Sequence, residues 1–102
     1  MAEITNDVSR EFERGLMVKL LVDWGLEWMP FHELRVQMMT RLGHSLSNND
    51  VKFHLNYLSQ GGYAESKTLR AGRADFELAV VRATPKAVDL VEGRAADLGI
   101  AF

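Results

Sequence analysis

Between residues 9 and 24 the apolar positions Phe12, Leu16, Met17, Leu20, Leu21 and Trp24 recur at steps of four, one, three, one and three. Such steps keep one face of an α-helix apolar, and Glu11, Glu13, Arg14, Lys19 and Asp23 fall mostly off it. Gly15 interrupts the stripe. It is either a local weakness of about 1 kcal/mol relative to Ala or a point of close packing. Gly25 ends the helix, and residues 26–30 read as a connector. A second helix opens at Pro30, whose missing N–H has no helical partner to lose. It carries Phe31, Leu34, Met38 and Leu42 on one side, with Val36 and Met39 flanking and Gly43 at its C-terminal end.

A short turn leads to Ser47, placed to cap a third helix over 48–60, with Asp50 three residues on as the other half of a capping box. Val51, Leu55 and Leu58 form its inward face. Gly61 or Gly62 stops it, since glycine takes the left-handed conformation that satisfies the last carbonyls. Two strand-like runs follow, "YAESKTL" and "FELAVVRA", separated by "RAGRAD" with Gly72 at its centre. They predict a hairpin over 63–83. Thr84 and Pro85 then read as an N-cap and first residue of a last helix, with Val88, Val91, Ala95 and Leu98 along one stripe to residue 98. The expected order is helix, helix, helix, hairpin, helix: a mainly α class with a small β-hairpin.

Composition narrows the function classes. A chain of 102 residues fits one domain with one modest core. There is no cysteine, which excludes disulfides, thiolate metal sites and cysteine nucleophiles. His32, His44 and His54 share no metal-ligand spacing, and no cofactor is expected. His32-Glu33 lacks the second histidine of a metalloprotease motif. His54, beside the inward face, reads as a satisfied core-edge residue. No phosphate loop and no nucleophile elbow occurs, so the chain is not expected to be an enzyme. The acidic, polar start is unlike a signal peptide, and no apolar run is long enough for a membrane span, which predicts a cytoplasmic protein.

The net charge of −2 conceals an asymmetry. From Arg35 to Lys86 eight basic residues face four acidic ones, whereas the two ends hold four basic and ten acidic residues. The middle suits an anionic partner and the ends do not.

The run "SLSNNDVKFHLNYLSQGGYAE", followed by "RATPKAVDLVEG", resembles the winged helix-turn-helix domain of small bacterial and phage transcriptional regulators. His54, Leu55, Leu58, Gly62 and Tyr63 match the end of a recognition helix. Thr84, Pro85 and Lys86 match the return from the wing into a dimerising helix. The likeness covers about residues 30–95, closest to the arsenic-repressor-like, phenolic-acid-repressor-like and multiple-antibiotic-resistance-repressor-like groups. It implies a winged-helix domain over 1–102, with helix 48–60 in the DNA major groove and the wing on the backbone or minor groove. It also implies a dimeric repressor, paired through its first and last helices, and the chain's compactness fits a phage or prophage origin.

The residues themselves supply candidate contacts. With Val51, Leu55 and Leu58 inward, Asn48, Asn49, Lys52, Phe53 and Asn56 are left outside, beside the capping Ser47. Asparagine amides suit adenine edges, and Lys52 suits guanine or phosphate. Arg70 and Arg73 flank Gly72 at the wing tip, with Lys67 lower down, and suit phosphate or a narrow minor groove. Phe53 is open: it could meet a thymine methyl, pack on Tyr57, face a protein, or belong to the core. Trp24, Trp28 and Met29 at one end and Leu98, Ile100 and Phe102 at the other add apolar surface that suits a homodimer interface. The alternative is a winged-helix protein–protein interaction module without DNA binding, because Lys52 is the third helix's lone basic residue beside Phe53 and Tyr57.

Overall fold

The computed structural model describes residues 2–70 and 77–102, with side chains from residue 9 onward. The elements are α1 (Ala2–Asp23), β1 (Met29–Pro30), α2 (Phe31–Leu42), α3 (Asn48–Gln60), β2 (Ala64–Arg70), β3 (Glu77–Ala83) and α4 (Pro85–Val91). The three strands form an antiparallel sheet in the order β1-β3-β2. Its long pair runs in register from Ala64 opposite Ala83 to Arg70 opposite Glu77.

The core lies where α1, α2, α3 and α4 meet the base of the sheet. Met17, Val18, Leu21, Met29, Leu34, Met38, Val51, Leu58 and Val81 are its largest sealed side chains. Each such side chain contributes roughly 1.5–3 kcal/mol relative to being exposed. The stripes of α2 and α3 point largely where their periodicity predicts, whereas on α1 the two ends of the stripe, Phe12 and Trp24, are exposed and Arg14, expected off it, is buried. Gly43 sits at φ 76° and closes α2, and its N–H donates to the Met39 carbonyl.

Several expectations need correcting. The connector 26–30 contains a strand: Met29 and Pro30 pair with Val81 and Val80. Gly25 and Leu26, both at positive φ, turn the chain so that this short strand reaches the sheet edge. Pro30 accordingly has an extended ψ of 137° and stands just before α2 instead of inside it.

The last helix does not run to residue 98. It ends at Val91, and Gly93 at φ 80° diverts the chain. Residues 94–102 then fold back without helix, with Asp97 and Ile100 bridged. Ile100, expected at a dimer interface, is 7% exposed and belongs to the core. Leu98, on the predicted helical stripe, is instead 98% exposed. Trp28 also departs from its expected place. It is half-buried against the sheet, with the Lys67 ammonium 4.2 Å and the Arg82 guanidinium 4.3 Å from its ring centre.

Gly15 proves to be a point of close approach. The Ala101 N–H donates to the Glu11 carbonyl at 3.0 Å, laying the C-terminal segment along α1. A Cβ on Gly15 would collide with the Ala101 carbonyl. In an ordinary exposed helix, Gly→Ala adds up to about 1 kcal/mol of stability. Here we expect the opposite sign: Gly15→Ala should destabilise by about 1–3 kcal/mol through overpacking. Urea denaturation of the two proteins decides it, and an increase in stability would refute the close-packing account.

Candidate nucleic-acid interface

The third helix is fixed at both ends by its own sequence. The Ser47 hydroxyl accepts the Asp50 N–H at 3.0 Å, and the Asp50 carboxylate accepts the Ser47 N–H at 3.1 Å. This reciprocal cap holds the Asp50 carboxyl below the ordinary range, chiefly through the Ser47 N–H. At the other end Gly62, at φ 81°, lets Tyr63 N–H reach the Leu58 carbonyl and its own N–H reach that of Ser59. The glycine pair also joins the helix to the far side of the wing. The Thr84 hydroxyl donates to the Gly62 carbonyl at 2.6 Å, and the Lys86 ammonium donates to that of Gly61 at 2.8 Å. Thr84 thus stands at the N-cap of α4, but its side chain holds the glycine turn and not the helix.

Between α3 and the sheet lies an open groove of about 670 Å³. Asn48, Lys52, Leu55, Asn56 and Ser59 line its helical wall, with Phe31 from α2. Ser66, Lys67, Thr68, Ala79, Val80 and Val81 line its wall on the sheet. Farther along the hairpin, Arg70 and Glu77 form an exposed ion pair at 3.1 Å. Arg82 pairs with Glu65 at 2.9 Å. Gly72 and Arg73 lie outside the described residues.

On its other flank α3 meets α1 and the C-terminal segment through polar groups. His54 is buried, and its Nε2 lies 2.8 Å from the Glu13 carboxylate, while Nδ1 has no described partner. Arg14, only 9% exposed, donates to the Gly99 carbonyl and stacks its guanidinium 4.1 Å from the Tyr57 ring centre. Asp97 accepts from the hydroxyls of Tyr57 (2.6 Å) and Tyr63 (2.9 Å) and from the Gly99 N–H. The Tyr57 bond pulls the Asp97 carboxyl down, and the same bond pushes the Tyr57 phenol up. Burial, then Asp97, raises Tyr63.

The sequence candidates therefore divide. Asn48, Lys52 and Asn56 face the groove together, and Asn49 is exposed next to them. Ser47 is occupied as a cap. Phe53 is 50% exposed, which removes the core alternative. It points to the α1 side, with Arg10 and Arg14 guanidinium groups 5.2 and 5.5 Å from its ring centre. Lys67 lines the groove but rests its ammonium on Trp28. Sequence reasoning missed Gln60 and Ser59, exposed in the last turn of α3, because the glycine stop drew attention away from the helix phase. It also missed the burial of Arg14, for which the residue type gives no signal, whereas His54, read as a satisfied core-edge residue, is buried against Glu13. Among the described residues no group of His, Asp or Glu is arranged to hold a metal ion. No described helix is long and apolar enough to cross a membrane.

Burial pushes the His54 imidazole below its usual value, against the upward pull of Glu13. The unfolded chain then takes up this proton at a higher pH than the folded one. Stability is complete above about pH 6.5 and falls as the pH drops through the window below it. Thermal melts at pH 7.5 and 5.5 should show that loss in the wild type and a smaller one in His54→Gln, which retains a donor for Glu13. Equal losses would locate the proton uptake elsewhere.

No family model and no curated protein matches the sequence. Solved structures do match the fold. One is TA0346 of Thermoplasma acidophilum, assigned as a candidate transcriptional regulator, with a TM-score of 0.66 at 18% identity over 81% of this chain and 76% of that one. Another is PadR of Bacillus subtilis, solved with operator DNA, with a TM-score of 0.57 at 16% identity over 84% of this chain. The match spans about half of the PadR chain, 49%. With four helices and a three-stranded antiparallel sheet among the described residues, in the order given, the fold is a mainly α winged helix-turn-helix.

Proposed function

We propose that this chain is a DNA-binding transcriptional regulator that acts as a dimeric repressor. The observation that carries the reading is the presentation of α3. A cap at one end and a glycine turn at the other hold a helix whose exposed face offers Asn48, Asn49, Lys52 and Asn56 beside an antiparallel wing. A helix of this kind fits the major groove, and its amides and ammonium match base edges and phosphates. Arg70, with Lys67 and the sequence-level candidate Arg73, supplies phosphate contacts from the wing. That PadR was solved with operator DNA supports the reading through the shared fold.

Dimerisation would use exposed apolar groups of α1 and the C-terminal segment. Phe12 and Phe102 are exposed and, with Gly15, Leu16, Lys19 and Ala101, line a shallow depression of about 210 Å³. Trp24 and Leu98 are exposed as well, while Ile100 and Trp28 serve the fold. To bind two successive half-sites, such a two-fold pair would have to hold its two α3 helices about 34 Å apart.

A second reading rests on Phe53. An exposed aromatic flanked by two guanidinium groups suits an acidic protein partner. In that case Phe53→Ala would abolish partner binding while Lys52→Ala and Arg70→Ala left it intact.

The deciding measurement is fluorescence anisotropy against a labelled random duplex, between about 50 and 200 mM salt. Each neutralised phosphate contributes about −0.9 to the slope of log affinity against log salt. We expect a slope of several units, reduced by about one in Arg70→Ala if its contact is to phosphate. Binding that is weak and flat at every salt concentration would reject the DNA reading.

A further inference from the structure

We infer that the outward pole of α3 reads adenine, with Asn49 and Asn56 each holding one adenine edge about three base pairs apart. The inference rests on the DNA-binding reading and names the sequence class which that surface selects.

The rotational phase of α3 follows from what it buries. Val51, His54, Leu55 and Leu58 are sealed and define the inward direction. At about 100° per residue, the carboxamides Asn49, Asn56 and Gln60 lie within about 30° of the opposite pole, and Phe53 lies as near it as Asn56 does, on the other side. Asn49 and Asn56 are seven residues apart and differ by only about 20° in direction. All three are exposed. The pole thus carries three carboxamides, with Asn56 on the groove side, where Lys52 lies beyond it, and Phe53 on the side toward α1.

A carboxamide is the side chain that pairs with adenine through two hydrogen bonds. Its N–H donates to N7 and its oxygen accepts from the N6 amino group. Guanine presents two acceptors and is best met by arginine, and α3 contains none. The spacing agrees with stacked bases. Seven residues of helix rise about 10.5 Å, and three base-pair steps of about 3.4 Å rise about 10 Å. The two amides reach separate adenines when α3 follows the groove. Gln60, one turn beyond Asn56, continues the row toward the wing.

The test is selection of bound duplexes from a random library, followed by titration of the best duplex. In that duplex 7-deaza-adenine, which lacks the N7 acceptor, replaces adenine at one position at a time. We expect selected sites to share two adenines three steps apart. Each replacement should weaken wild-type binding roughly ten-fold. Asn49→Ala should become indifferent to replacement at one of these positions and Asn56→Ala at the other, each keeping sensitivity at the remaining one. Both residues are exposed, so melting temperatures close to that of the wild type are the control for folding. Salt-dependent binding to sites without the adenine pair, or variants that keep both sensitivities, would overturn the inference and leave DNA binding standing. Failure to bind any duplex at about 50 mM salt would overturn both.

Discussion

The first helix is the surface on which the rest of the molecule assembles. Met17, Val18 and Leu21 are almost completely sealed beneath α2, α3, α4 and β3. The apolar burial alone would tolerate some rotation of α3, because packed aliphatic faces slide at modest cost. The polar contacts from the same helix restrict it. Glu13 holds the His54 ring, and Arg14 covers Tyr57 and reaches the Gly99 carbonyl. A buried charge or polar group that loses its partner costs far more than a shifted methyl. Turning α3 by one residue would strand several such groups at once. The direction of its outer face is therefore set from within, by residues that lie largely beneath the surface.

The same economy of contacts ties the wing to the helix. The turn Gly61–Gly62 ends α3, starts the sheet and is gripped by Thr84 and Lys86 from the strand's far end. Trp28 adds a second attachment, since β1 brings the indole between Lys67 of β2 and Arg82 of β3. Cation–π contacts of this kind contribute about 0.5–1 kcal/mol each when exposed and more when desolvated. The base of the wing is thereby held in a defined position relative to α3, which any ligand that touches both requires.

Most of this was legible in the sequence where one local rule decided the outcome. Periodicity located α1, α2 and α3, and Ser47-Asp50 and the paired glycines marked the limits of α3. What failed depended on partners distant along the chain. β1 is two residues long and contains a proline, so no strand pattern exists to be seen; Val80 and Val81 make it a strand. The stripe through Ala95 and Leu98 was genuine periodicity, but Gly93 breaks it, and Asp97 is drawn away by two tyrosines some forty residues earlier. Trp28 and Ile100 were assigned to an interface because apolar residues were counted without knowing which way they face. Phe53 could not be settled until Arg10 and Arg14 were placed beside it. On α3, the buried phase was enough to predict that Asn48, Asn49, Lys52 and Asn56 are exposed, and carried one turn further it predicts the same of Gln60.

Electrostatics sets how such a surface would have to work. The chain is net negative, and two of the wing's arginines are already engaged by Glu65 and Glu77. In the proposed reading the general attraction for nucleic acid rests on the few remaining basic groups of α3 and the wing, and discrimination would fall to the uncharged amides of α3. The Arg70–Glu77 pair does not contradict a role for Arg70 in binding. Its two side chains are 81% and 56% exposed. An ion pair this open contributes only about 0–1 kcal/mol. Arg70 can exchange a carboxylate for a phosphate at small cost, whereas Arg82, held by both Glu65 and Trp28, has more to lose. The two arginines, similar in sequence, are thus set apart by their surroundings: one is free to move to a ligand and the other keeps the sheet in place.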